Sequence, residues 1–229
     1  MTGKVAIITA GTPDVRAHLV AGYLERGWAV VASARTIGPS PDPDLLTIAA
    51  DIADPEAAGW IVGGALKRFG RIDTLINSAV VDLAKPFTAY TPADYAVAEV
   101  SLAGFFWLTQ RAIAEMAIRY GGHVVSVLAA TADTADSGAP AVLAALTRGS
   151  QVAVTRSLAR EYASLGIRVN AVVSSLIEAP RPRARSCDVY DGRFPPLPGG
   201  DQIGDVVNAV LFLESSPSVT GQVVHVGGG

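Results

Sequence analysis

The stretch "KVAIITAGTPDVRA", Lys4 to Ala17, carries the reading on which the fold depends. Its first half is an almost unbroken run of Val, Ile and Ala, the pattern of a strand buried on both faces. Gly11 ends the run. "TPDV" then reads as a helix start, with Thr12 as N-cap, Pro13 at the first helical position and Asp14 in the first turn. A buried strand that turns sharply into a helix is the opening of a strand–helix–strand unit.

The same alternation continues. "AVVASA" (29–34), "LLTIAA" (45–50), "TLIN" (74–77), "HVVSVL" (123–128), "RVNAVV" (168–173) and "QVVHV" (222–226) read as strands. Helical patterns lie between them at 13–26, 54–69, 92–119, 147–165 and 201–214, with start and stop signals at Asp54-Pro55-Glu56, Thr91-Pro92 and Gly166. This order predicts an α/β fold with one doubly wound parallel sheet of about seven strands, helices on both faces and right-handed crossovers. One domain is expected over 1–229, without internal repeats. "RTIGPSPDPD" (35–44) has three prolines where a crossover helix would stand, which predicts a loop there. "EAPRPRARSCDVYDGRFPPLPGG" (178–200), with five prolines and four arginines, reads as a long irregular segment on the side where such sheets bind ligands. Its Arg181, Arg183, Arg185 and Arg193 are candidates for an anion-binding lid, although a solvated loop is the stronger reading.

Composition narrows the function classes. Half the residues are hydrophobic and 17% are charged, as in globular chains, and the net charge of −3 offers no general attraction for nucleic acid or an anionic membrane. The single cysteine, Cys187, excludes an intramolecular disulfide or a cysteine-rich metal site. His18, His123 and His225 are far apart and read as surface or half-buried residues, so no metal site is expected. No apolar run approaches the roughly 20 residues of a membrane span, and the start lacks a secretory pattern. A cytoplasmic protein is expected.

Six blocks, "GKVAIITAG", "DIADPE", "GRIDTLINSA", "SLAGFFWLTQ", "TRSLAREYASLGIRVNAVV" and "DVVNAVLFLESSPSVTGQVVHVGG", resemble the short-chain dehydrogenase/reductase (SDR) family in order and spacing along essentially the whole chain. The resemblance implies a single Rossmann-type domain, an NAD(P)(H) cofactor and a homodimer or homotetramer. It also sets out what is altered. The family's T-G-x-x-x-G-x-G loop matches Thr9, Ala10, Asp14 and Arg16, leaving Gly11 as the one glycine of the turn. A carboxylate at Asp14 already occupies the positive end of the helix, worth about 0.3–1 kcal/mol to it, and would repel a pyrophosphate. Asp51 matches the family's adenine contact, Arg35 a position that favours a 2′-phosphate, and Asn77-Ser78-Ala79-Val80 its N-N-A-G. Asp51 also reads as a turn residue, and Asn77 as a tie between elements. After the sixth strand, Ser174-Ser175 and Ala179 replace the family's P-G turn and following Thr.

At the catalytic positions the resemblance places Ala144 for the Tyr, Arg148 for the Lys, Ala129 for the Ser (with Thr131 the nearest hydroxyl) and Ser101 for the Asn. Ala144 cannot move a proton, and the loss of a positioned acid/base costs about 10²–10⁴-fold in rate. Arg148 keeps the charge and does not titrate. The leading expectation is a pseudoenzyme with no cofactor or only weak NADP(H)/NAD(H) binding at Thr9, Gly11, Arg35, Asp51 and Asn77. It would support an active SDR paralogue in a hetero-oligomer, or form a homo-oligomer, through helices 92–119 and 147–165. A second reading is redirected non-redox chemistry of cyclase, dehydratase or isomerase type, with Asp82, Asp133, Asp136, Glu178 and Tyr190 as candidate acid/base groups. A third is an atypical NADP(H)-dependent ketoreductase in which water supplies the proton.

Overall fold

Seven short apolar segments form one sheet in the computed structural model, which describes residues 3–78, 83, 85–129, 142–174 and 203–227. The strands are β1 (Val5–Ala10), β2 (Ala29–Ala34), β3 (Leu45–Ala49), β4 (Thr74–Ser78), β5 (Gly122–Ala129), β6 (Ile167–Ser174) and β7 (Val223–Val226). They run in the order β3-β2-β1-β4-β5-β6-β7, and every neighbouring pair is parallel. This is the expected Rossmann-like sheet.

Helices cover both faces, which is why the inner strands are mostly apolar on both sides. On one face, α1 (Pro13–Leu24) and α5 (Ile203–Ser215) pack Val15, Leu19, Val206 and Val210 onto Ile8, Val30, Ile76 and Val172. On the other, α2 (Ala57–Phe69), α3 (Pro92–Ile118) and α4 (Val142–Glu161) lie over Ile7, Val31, Leu75 and Val124. The strand order reverses between β1 and β4. The crevice at their carboxyl ends is where open sheets of this kind bind ligands.

Element boundaries follow local chemistry. Thr12 caps α1 by accepting from the Val15 amide at 3.4 Å, as the sequence predicts. α2 begins at Ala57 rather than at 54, because the Asp54 carboxylate accepts from the Glu56 amide at 2.8 Å and holds 54–56 in a turn. No helix joins β2 to β3, as the three prolines predict. α4 starts at Val142, five residues before the expected 147. Gly166 ends the short 3₁₀ turn after α4 with φ +69°, a left-handed stop.

Candidate functional site

The crevice is built from the ends of β1 and β4 and the turn into α1. Gly11 makes that turn at φ +81°, and a Cβ there would stand 2.6 Å from the Ser78 hydroxyl. Only glycine satisfies both constraints. Beyond it, the first turn of α1 has little left to offer an anion. Pro13 has no N–H, the Val15 amide is taken by Thr12, and the Arg16 amide donates to the Thr12 carbonyl at 3.1 Å. The Asp14 amide remains. The Asp14 residue is exposed, so its carboxylate stands in water beside the turn rather than inside it.

Sheet register places a row of small polar side chains below the turn. Ser33 of β2, Thr9 of β1, Asn77 of β4 and Ser126 of β5 are register partners across four strands, and all four are buried. Thr9 Oγ1 donates to the Ile76 carbonyl at 3.3 Å, and Asn77 Nδ2 donates to Thr109 Oγ1 on α3 at 2.9 Å. Asn77 is therefore a tie between strand and helix. The hydroxyls of Ser33, Ser78 and Ser126 have no hydrogen-bond partner among the described residues. A small pocket lies there, lined by Thr9, Asn77, Ser78 and Gln151 with Ile52, Gly104, Phe105 and Leu108. Ile52 fits it only because Gly104 has no side chain: a Cβ there would stand 2.8 Å from the Ile52 Cβ.

Arg35 and Asp51 are exposed just past the ends of β2 and β3, on the same edge of the sheet as Gly11. The Asp51 carboxylate accepts from the Ala53 amide at 3.0 Å, so the turn role read from sequence is real. Ala144 and Arg148 occupy the buried side of α4 near its start, and Ser101 is buried on α3. Arg148 Nη1 donates to the Ala129 carbonyl at 3.1 Å and so brings together two of the four substituted positions. Asp82, Thr131, Asp133, Asp136, Ser175, Glu178, Ala179, Tyr190 and the segment 178–200 with its four arginines lie outside the described residues.

A family model described as enoyl-(acyl carrier protein) reductase matches residues 17–229. The chain belongs to the short-chain dehydrogenase/reductase family. It is 27% identical over 238 residues to the 3-oxoacyl-[acyl-carrier-protein] reductase FabG of Escherichia coli, spanning 99% of this SDR chain and 97% of the relative. The FabG of Vibrio cholerae is 25% identical over 241 residues, with 100% and 98% covered. A short-chain dehydrogenase of Leptospira borgpetersenii, solved with bound NAD+, is 26% identical with a TM-score of 0.81, covering 100% of this chain and 93% of that one.

Full-length likeness to reductases overturns the expectation of a pseudoenzyme that supports an active paralogue. Ser101, Ala129, Ala144 and Arg148 are departures within an oxidoreductase lineage. Arg148 in fact still ties α4 to β5 with a positive charge.

A second correction concerns His123, read as a surface or half-buried residue. It is only 1% exposed, in a polar cluster at the opposite end of the sheet. Glu214 of α5 accepts from His123 Nδ1 at 3.1 Å, Thr74 Oγ1 at 2.7 Å and the Tyr23 hydroxyl at 3.2 Å. Asn170 Oδ1 accepts from the Gln222 amide, which turns its Nδ2 toward His123 Nε2 at 3.0 Å. Nε2 is thus an acceptor and the proton sits on Nδ1. Burial lowers the His123 pKa and outweighs the pull of Glu214 in the other direction. Burial alone would raise the Glu214 carboxyl, but hydrogen bonds from His123 and Thr74, with the Arg168 charge, hold it below its ordinary value. The partners are separated by up to 191 residues, so no spacing rule could have found the cluster.

Proposed function

We propose that this chain is an atypical NADP(H)- or NAD(H)-dependent reductase of a carbonyl substrate of the 3-oxoacyl type. The observation that carries the reading is the end-to-end similarity to 3-oxoacyl-[acyl-carrier-protein] reductases. The residues fit a dinucleotide. Gly11 leaves a cradle that a Cβ would fill, at a helix N-terminus, where backbone amides favour phosphate. The Asp14 amide would face the pyrophosphate, Arg35 the 2′ position of the adenosine ribose and Asp51 the adenine. With one glycine in the turn and a carboxylate beside it, binding is weaker than in a three-glycine loop.

A bound nicotinamide supplies the hydride. The chain's own residues must position the carbonyl and handle the charge that develops on its oxygen. Ala144 has no proton to give, so water donates it. Arg148, fixed on the Ala129 carbonyl, places a permanent positive charge at the carboxyl end of β5, where it stabilises a developing alkoxide. The chemical step is then slower by about 10²–10⁴-fold than with a positioned tyrosine. The protein works as a homo-oligomer through the exposed apolar side chains of α3 and α4.

Calorimetric titration with NADPH and NADH tests this reading. Saturable binding of either is expected, with turnover of a 3-oxoacyl thioester on addition of the substrate. No binding at millimolar cofactor would overturn it. The double variant Ala144→Tyr/Arg148→Lys should raise kcat by about 10²-fold if the reaction is limited by the missing acid.

A further inference from the structure

We propose that Gly104 is a positioning residue for the cofactor: it lets Ile52 sit directly on the backbone of α3, and this seat holds the neighbouring Asp51 at the adenine end of the crevice. Glycine inside a helix is unfavourable relative to alanine, so a buried one in the middle of α3 calls for a reason. Close approach supplies it. A Cβ at Gly104 would stand 2.8 Å from the Ile52 Cβ, 3.1 Å from its Cδ1 and 3.2 Å from its Cγ1. At the helical positions Gly59, Gly63, Gly149 and Gly204 a Cβ would meet nothing within 4 Å. At Gly64 it would meet the Ile48 Cδ1 at 2.7 Å, the far end of a side chain that can turn away. The Ile52 Cβ cannot turn away, because no side-chain rotation moves it and the branched chain is stiff at χ1.

What Ile52 fixes is the turn between β3 and α2. The ladder ends where the Ala50 amide donates to the Ala34 carbonyl at 3.0 Å. Asp51 then accepts from the Ala53 amide through its carboxylate at 3.0 Å and from the Asp54 amide through its carbonyl at 2.9 Å. These bonds shape the turn without tying it to α3. Asp51, Ala53, Pro55 and Glu56 are exposed, whereas Ile52 reaches inward and lines the small pocket beside Thr9, Asn77 and Leu108. α3 is the firmer partner, held by the Asn77–Thr109 hydrogen bond at 2.9 Å and by Leu108, Ala112 and Ile113 in the core. A methyl group at 104 would therefore push the turn, and Asp51 with it. The seat stands on the structure alone, whereas its effect on the cofactor rests on the reductase reading.

Crystal structures of the wild type and of Gly104→Ala decide the seat. The Asp51 Cα should move outward by about 1 Å, the shortfall of a 2.8 Å contact from ordinary carbon–carbon separation, with α3 unmoved. An unmoved Asp51 overturns the proposal whether or not the protein proves to be a reductase. In the active enzyme Gly104→Ala should raise the KM for NADPH or NADH about tenfold, the effect of one misplaced hydrogen bond to a carboxylate, with kcat changed less than about twofold. Ile52→Ala, which empties the seat and leaves α3 as it is, should do the same. Asp51→Ala should itself raise KM about tenfold, and adding Gly104→Ala to it should raise KM less than about twofold further, since Gly104 acts through Asp51. Ile113→Ala, also buried on α3 but more than two turns further along, should lower the melting temperature without moving the cofactor KM. A fall in kcat at constant KM, or full additivity with Asp51→Ala, overturns the positioning role. A wild type that binds neither cofactor overturns the reductase reading and the adenine role together.

Discussion

Gly11 carries two constraints, a left-handed backbone and a neighbouring hydroxyl 2.6 Å from where a Cβ would sit. Gly11→Ala should therefore cost about 1–3 kcal/mol, measured by urea denaturation. Adding Ser78→Ala should restore only part of it, because the Ser78 Cβ itself lies 3.1 Å from the same point and the strained φ remains. Asp14 acts through charge alone. Asp14→Gly should tighten cofactor binding by about 2- to 5-fold, the inverse of the 0.3–1 kcal/mol its carboxylate offers the helix end. An unchanged Kd in calorimetry would show that the pyrophosphate does not sit at this N-terminus. The turn was legible in the sequence because glycine, proline and a capping threonine act locally. The buried row Ser33–Thr9–Asn77–Ser126 was not, because single Ser and Thr residues in apolar strands signal nothing until sheet register aligns them.

At the scale of elements, periodicity located all seven strands and five helices, and the misplaced boundaries have local causes. The Asp54 side chain delays α2, and α4 gains an early turn at "VLAAL", a stretch with no capping residue to announce it. The larger surprise is how α5 is anchored. Arg168 of β6 donates to the carbonyls of Leu213, Glu214, Ser216 and Val219, closing the carboxyl end of α5. Glu214 and His123 complete that anchor, and both have lowered pKa values in the folded chain. A group whose folded pKa is depressed is protonated first in the unfolded chain, so acid favours unfolding. The His123 contribution is present above its ordinary 6.5 and declines as the pH falls from there toward its folded value. That of Glu214 declines below 4.5. The melting temperature should thus drop from about pH 6.5 downward. His123→Gln should flatten the upper part of that slope and reduce without abolishing the part below 4.5, because Thr74 and Arg168 still lower the Glu214 pKa. A Tm independent of pH between 7 and 5 in the wild type would refute the assignment of a neutral, buried His123.

Over the whole molecule, the two faces of the sheet are treated differently. Phe212 is the one large apolar side chain that α1 and α5 expose, whereas α3 and α4 expose Val100, Phe106, Trp107, Val142 and Leu146, each at least 37% accessible. Single exposed apolar residues need no explanation, but here they fall at helical spacing on neighbouring helices, Val100 with Trp107 and Val142 with Leu146. An isologous contact covers such a face with its own copy, since each residue then meets its symmetry partner. Sedimentation velocity should therefore find the wild type at a multiple of 23.6 kDa. Phe106→Asp with Leu146→Asp should shift it to the monomer, because two buried carboxylates per protomer would have no cation to meet. The double variant should keep its circular dichroism spectrum, as both side chains are at least half exposed in the single chain. Dissociation would also test the link to function: α4 carries Arg148, so a monomer that stays folded should lose kcat before it loses cofactor binding. A wild type that sediments as a monomer at micromolar concentration would leave this apolar face without its second copy and refute the homo-oligomer.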